Sequence, residues 1–270
     1  MSDERNTFEI CTRPVFIIGS PRSGTSILAW SLAQHTRLWT SAESDFLFHL
    51  FGKDRFEEAL ETTLARPDGS WLTKNGVERK ELLESLGLGV NALFTSRSVG
   101  RRWIDQSPTY TLIADLLAEM FPGASFLHIL RDGRQVVASM VSSGFDTHWA
   151  GSFAEACRAW SHYVDVAARF CKARPSRCRT IRLAALAADP SRVFREVLDF
   201  LGLAYEDAPA AFFAANRINS SRPEAAPGDG EAVWRSWTPE QQRIFNERAS
   251  ATLLRQEIAT EHELAILAPS

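Results

Sequence analysis

The sequence predicts an α/β fold, a P-loop-like parallel sheet flanked by helices. Three observations carry that prediction. Pro14 to Ser26 reads as an apolar strand, a glycine-bounded loop and the start of a helix. Ser125 to Leu130 is a second core strand that runs through Arg131-Asp132-Gly133 into another helical pattern. Elsewhere short strand signals alternate with longer helical stretches, as when helices cover both faces of a parallel sheet.

The elements follow in order. The first strand spans about Val15 to Ile18, and its helix runs from about Gly24 to Gln34 with Ile27, Leu28 and Leu32 on one face. Residues 45–97 read as helices with an irregular stretch at Pro67-Asp68-Gly69. Arg102 to Asp105 is a short strand stopped by Ser107-Pro108, and a helix follows from about Thr109 to Met120, ended by Phe121-Pro122-Gly123. After the strand at Ser125–Leu130, a helix covers about Arg134 to Val141. Ser152 with Glu155 forms a capping box that opens a long helix to about Lys172. Thr180 to Leu183 is a third strand candidate. Asp189-Pro190 supplies an N-cap and a first-turn proline for a helix to Phe200, which Gly202 closes. Thr238-Pro239-Glu240-Gln241 opens a further helix in the same way. Between these two, residues 216–231 are rich in Ser, Pro and Gly and are expected to be a lid loop or a disordered segment. The whole chain, 1–270, is expected to be one domain with a flexible stretch at 1–12.

Composition narrows the functional classes. Apolar residues make up 45% of the 270, enough for a sizeable core, and the net charge of −3 gives no electrostatic footprint for nucleic acid or membrane. The N-terminus lacks the apolar core of a signal peptide, and no apolar run approaches a membrane span. The four cysteines, Cys11, Cys157, Cys171 and Cys178, have neither C-x-x-C nor metal-ligand spacing. They are expected to be reduced thiols in a cytoplasmic protein. No metal site is expected.

The first loop carries the chemistry. Gly19, Gly24 and Ser26 meet the G-x-x-x-x-G-K-[ST] pattern, but Thr25 stands at the lysine position and the cation sits earlier, at Arg22. Backbone N–H groups and hydroxyls of Ser23, Gly24, Thr25 and Ser26 suit one phosphate, with the Arg22 fork on a charged oxygen. A mere strand-to-helix turn is the bland alternative. A second basic element leaves the carboxyl end of the strand at Ser125–Leu130, where open α/β sheets bind ligands. There Arg131 is followed eight residues later by Ser139, a pair suited to a second phosphate. A solvated or salt-bridged arginine is the plain alternative.

Together the two elements resemble those of the sulfotransferase family that uses 3′-phosphoadenosine 5′-phosphosulfate (PAPS). The stretch Pro21-Arg22-Ser23-Gly24-Thr25 resembles its 5′-phosphosulfate loop in the form seen in bacterial and Golgi members, and Arg131 with Ser139 its 3′-phosphate motif. The resemblance implies that Arg22 to Ser26 hold the 5′-phosphosulfate and stabilise the leaving charge, that Arg131 and Ser139 hold the 3′-phosphate, and that PAP is released. In the protein-tyrosine branch a glutamate at similar spacing is the proposed base, which implies Glu43, twenty-one residues after Arg22, for this chain. A surface or capping carboxylate is the alternative for Glu43, and Asp45, Asp105 and His49 are reserve bases, with His148 behind them.

Trp103 to Tyr110 resembles a family segment usually written Lys-[ST]-Pro, but Gln106 replaces the lysine and carries no charge. Late in the chain, Ser221 and Arg222 resemble residues that reach the 3′-phosphate, and Trp234 one that packs near the base. At Arg182 to Leu186 the chain departs from relatives that show a tyrosine or glutamate, so an adenine contact there is not expected. Phe46, Phe48, Phe51, Trp71 and Trp149 are read first as core and second as pocket lining.

The expected activity is therefore in-line transfer of a sulfuryl group from PAPS to the hydroxyl, or secondarily an amine, of a small molecule or peptide, in a protein that can form a homodimer. Two alternatives stand beside it. A P-loop nucleotide kinase needs the missing loop lysine and a Mg²⁺-binding aspartate. A non-catalytic module would bind PAP or another nucleotide without turnover.

Overall fold

Strands Val15–Ile18 (β1), Leu38–Thr40 (β2), Arg102–Asp105 (β3), Ser125–Leu130 (β4) and Cys178–Arg182 (β5) form a parallel sheet in the order β2-β3-β1-β4-β5. The structure, a computed structural model, describes residues 10–52, 54–143, 151–216 and 230–258. The register pairs Phe16 with Asp105 on one side of β1 and with Phe126 on the other.

Alternation along the strands divides the core. Val15 and Ile17 of β1, with Leu127 and Ile129 of β4, face one side and pack with Thr25–Leu32 (α1), Leu183–Ala188 (α9), Pro190–Leu201 (α10) and Ala208–Ala215 (α11). Phe16, Ile18 and Phe126 face the other, where Phe16 stacks on Phe126 and Trp103, Tyr110, Phe121 and Phe170 meet these two rings edge-on or tilted. Both faces are covered, so β1 and β4 are buried throughout.

Phe46–Phe51 (α2), Arg55–Leu64 (α3), Trp71–Lys74 (α4) and Arg79–Ser98 (α5) fill the stretch between β2 and β3, with the expected break at Pro67-Asp68-Gly69. After β3 the chain makes a 3-10 turn at Pro108–Ile113 before Ala114–Met120 (α6), where one continuous helix is expected. Gly133–Ser142 (α7), Phe153–Ala173 (α8), Gly230–Arg235 (α12) and Pro239–Arg255 (α13) enclose a third cluster around Val136, Trp160, Trp234 and Phe245. The caps form at the expected residues, though of the box expected at Ser152 and Glu155 only the half in which Ser152 accepts is made, the Glu155 carboxylate taking the Ser152 hydroxyl instead of the Ser152 N–H. Ser152 accepts from the Glu155 N–H, Asp189 from the Arg192 N–H, and Thr238 with Gln241 forms a capping box, while Gly202 ends α10 at φ 69°.

Several expectations change. Cys171 and Cys178 are joined in a disulfide where thiols are expected, because the end of α8 and the start of β5 bring their Cα atoms to 4.9 Å; Cys11 and Cys157 are free. Ile10 to Thr12 are described, and Cys11 bonds to Thr95 and Asn91 of α5; residues 1–9 lie outside the described residues. Of the 216–231 loop, 217–229 lie outside the described residues, and Gly230 and Glu231 begin α12. Arg182 ends β5 and Leu183 to Leu186 belong to α9, so that departure from relatives falls mainly on a helix. Among the described residues no helix is long and apolar enough to cross a membrane.

Candidate active site

The strand order places a crevice at the carboxyl end of β1. The chain runs from β1 outward to β2 and β3 on one side and then crosses to β4 on the other, so the connections diverge there. The loop at residues 19–24 fills this position. Gly19 has φ +154°, and a Cβ on it would stand 2.6 Å from the Ile129 carbonyl oxygen, so the backbones of β1's end and β4 approach as only glycine allows. Thr111 pins the same residue from both sides: its Oγ1 accepts from the Gly19 N–H at 2.8 Å and donates to the Gly19 carbonyl at 3.0 Å. Nothing in the sequence signals Thr111, which is ninety-two residues away.

The loop then turns through Arg22 at φ 66°, a left-handed conformation disfavoured for a residue with a Cβ. Gly24, also left-handed, begins α1 without a side-chain cap, so the N–H groups of the first turn face outward from the helix end. Ser23 is buried, and its Oγ has no hydrogen-bond partner among the described residues. A buried hydroxyl without a partner is costly, and beside a helix N-terminus it suits an anionic oxygen. Thr25 is likewise buried, whereas Ser26 is half-buried.

The second basic element arrives at the same place. Arg131 leaves β4 and donates through Nη1 to the Arg22 carbonyl at 3.0 Å and through Nε to Gln135 Oε1 at 3.0 Å. Arg22 Nε donates to Ser139 Oγ at 3.1 Å. Ser139 is thus bonded to the first loop's arginine, where the sequence pairs it with Arg131. Burial lowers the pKa of both guanidinium groups; Arg22 lowers that of Arg131 further, and Glu43 pulls that of Arg22 back up. Two desolvated cations within each other's field are stabilised by an anion between them. Asp132 caps α7 and pairs with Arg134 at 2.6 Å, both nearly buried. A kinase-type metal aspartate would need that carboxylate for the ion.

Glu43 lies in the loop between β2 and α2. It is exposed to solvent, with its carboxyl in the field of Arg22, Asp45 and Asp105. Desolvation first, then the charges of Asp45 and Asp105, push its carboxyl up to about 7 against the pull of Arg22. A carboxyl that titrates near neutrality beside a guanidinium has the protonation range of a general base.

The reserve bases fare differently. Asp105 is buried, and burial raises its pKa while it accepts from Ser44 and Ser107. Asp45 accepts from Thr109 Oγ1. His49 is exposed on α2. His148, Trp149, Ser221 and Arg222 lie outside the described residues. Gln106 is buried, and its Oε1 has no partner among the described residues. Trp234 packs in the third core cluster against Trp237 and Phe245, so its expected place near a base gives way to a core role. Phe46, Phe48 and Phe51 pack against the second cluster, and Trp71 is 70% exposed.

Besides Thr111, two residues escape sequence reasoning. Gln135 follows Arg131 by one helical turn, a spacing that signals the pair only in hindsight. Tyr163 of α8 is 2% exposed, its hydroxyl has no partner among the described residues, and burial first, then the Asp45 charge, raises its pKa.

Residues 14–207 match the model of the sulfotransferase family. The chain is similar to a protein-tyrosine sulfotransferase of Drosophila melanogaster, 25% identical over 206 residues, and to protein-tyrosine sulfotransferase 1 of Danio rerio, 24% identical over 205. Each match covers 72% of this chain but 39% and 54% of those relatives, so the chain spans about half their length or less. Among solved structures it is similar to the sulfotransferase domain of the Synechococcus PCC 7002 olefin synthase, with TM-score 0.56, 20% identity and coverage of 87% and 94% of the two chains. It is also similar to mouse sulfotransferase SULT7A1 complexed with PAP, with TM-score 0.53, 15% identity and coverage of 92% and 89%.

Proposed function

The chain belongs to the sulfotransferase family, and on that premise we propose that it moves a sulfuryl group from PAPS to a hydroxyl of an acceptor, with Glu43 as the base. The observation that carries the proposal is the meeting of the two basic motifs. Arg22 bonds to Ser139 and Arg131 to the Arg22 backbone, so groups over a hundred residues apart form one anion-binding surface. A donor with phosphate at its 3′ position and phosphosulfate at its 5′ position uses both arginines. The buried Ser23 hydroxyl and the first-turn N–H groups of α1 supply further donors.

The donor brings the sulfuryl group, which passes in line as its bond to the 5′-phosphate oxygen breaks. The chain's residues hold and polarise. Arg22 faces the oxygen on which negative charge develops, a site where fixed donors act strongly. Glu43 takes the hydroxyl proton of the acceptor. Arg131 and Ser139 retain the nucleotide, with Ser221 and Arg222 as proposed additions from outside the described residues. Gln106 stands where the family pattern has lysine, so charge stabilisation rests on Arg22. The relatives named for protein tyrosine make a phenolic hydroxyl the first acceptor class to try.

The test is ligand stabilisation followed by product mass. PAP should raise the melting temperature more than ATP does; equal or absent shifts would remove PAPS as donor. A panel of phenols, alcohols and tyrosine peptides incubated with PAPS should then yield one class that gains the mass of a sulfuryl group. PAP binding with no such product from any class would favour the non-catalytic module.

A further inference from the structure

The loop that carries Glu43 is tied down by residues that the proposed chemistry does not use. Asp45, two residues on, has φ 50°, and its side chain makes no cap bond to α2. The loop's donors are taken instead by the segment after β3. Ser107 Oγ accepts from the Ser44 N–H at 2.9 Å and the Asp45 N–H at 3.1 Å, and donates to Asp105 Oδ1 at 2.8 Å. Asp105 Oδ1 also takes the Ser107 N–H at 2.9 Å, and Oδ2 takes the Ser44 hydroxyl at 2.5 Å. Tyr110 Oη accepts from the Leu47 N–H at 3.2 Å and lies 2.6 Å from Ser44 Oγ. Asp105, Ser107 and Tyr110 are all at least nine-tenths buried, so water does not compete for these bonds.

We propose that Asp105, Ser107 and Tyr110 are positioning residues that fix the Glu43 loop against the sheet and so set where its carboxylate stands relative to Arg22. The inference rests on the reading of Glu43 as the base. A loop this short, with one residue in a disfavoured backbone region, would otherwise relax toward extended conformations and let the carboxylate move away from Arg22 and Asp105. The bonds span more than sixty residues of sequence and end on Ser44, next to Glu43. The charged groups that act on Glu43 are Arg22 from the β1 loop, Asp45 from its own loop and Asp105 from β3. Tyr163 of α8 lies within the field of the Asp45 charge.

The experiment follows the carboxyl carbon of Glu43 by NMR through a pH titration of the full chain, with Glu43→Gln identifying the signal. Wild type should titrate near neutrality. Ser107→Ala, which changes no charge, should move that titration at least one pH unit toward the ordinary glutamate value of about 4.3. It should also speed exchange of the Ser44 and Asp45 amides about tenfold or more. Ser107→Thr, which keeps the hydroxyl, should restore both. Tyr110→Phe should shift the titration in the same direction and decides the matter if Ser107→Ala does not fold. Retained stabilisation by PAP checks that each variant still folds. The brace is refuted if Ser107→Ala and Tyr110→Phe leave titration and exchange at wild-type values. It is also refuted if Ser107→Thr fails to rescue, or if wild-type Glu43 titrates in the ordinary range. Failure of the base reading looks different: Glu43→Gln would transfer sulfuryl groups at the wild-type rate.

Discussion

Raising the pH from 6 to 8 should raise kcat/KM for the donor about tenfold, because the proposed base must be ionised and burial with two neighbouring carboxylates pushes Glu43 up to about 7. At that value about one molecule in eleven carries the carboxylate at pH 6, and about ten in eleven at pH 8. A glutamate with its ordinary value is almost fully ionised at both, and the rate would not change. The assay is PAP release against pH with the acceptor found in the mass screen, at limiting donor, since kcat/KM reports the free enzyme. Bound donor adds negative charge near Glu43, so the limb in kcat should lie at or above the limb in kcat/KM. Asp45→Asn removes one cause of the shift and should move the limb to lower pH. Stability runs the opposite way. The folded pKa is raised, so folded protein holds more protons than unfolded between about 4.5 and about 7. The contribution to stability is therefore full below that window and lost as pH rises through it. A flat kcat/KM between pH 6 and 8, or a limb near pH 4.5, would refute the placement of Glu43 as base.

Three further outcomes are expected. Gly19→Ala puts a Cβ 2.6 Å from the Ile129 carbonyl at φ +154°, so it should cost about 1–3 kcal/mol and weaken PAP stabilisation; an unchanged melting temperature would contradict the close approach. His128, buried in β4 with its pKa lowered to about 4, must gain a proton on unfolding in acid, so stability should fall by about 3 kcal/mol as pH drops from 6.5 to 4. Denaturant midpoints should show a shallower slope in His128→Gln, and an equal slope would count against this account. Thiol titration of the denatured, unreduced protein should find two reactive cysteines, Cys11 and Cys157, and finding four would disprove the Cys171–Cys178 bond. Reduction should cost about 2–3 kcal/mol from loop closure over so short a span.

Features that depend on neighbours in the chain are legible without a structure. The β4 limits are those expected, and the caps at Ser152, Asp189 and Thr238 form where anticipated, because capping needs only a side chain and the first turn it serves. The phosphate-type loop is legible for the same reason: strand, glycines, hydroxyls and arginine occur within thirteen residues. Short elements such as β2 and α11 are not foreseen, since three or eight residues carry too little periodicity to stand out from loop. The disulfide is missed because two cysteines seven apart give no pairing signal until a helix end and a strand start meet.

A glycine-bounded anion loop, a second basic turn, and Glu43 at a suggestive distance after the first are readable along the chain alone. Those are local facts, written in adjacent residues. It takes the folded chain to bring Arg22 to Ser139, Arg131 to the Arg22 backbone, Thr111 to Gly19 and Ser107 to the Ser44 N–H. Each of those contacts joins different strand ends, and which ends meet depends on the order β2-β3-β1-β4-β5. Hydrophobic alternation marks a strand and the face it buries, but strands with the same pattern fit any slot in a parallel sheet. Their order is settled by packing and crossover connections together, which no single stretch of sequence records.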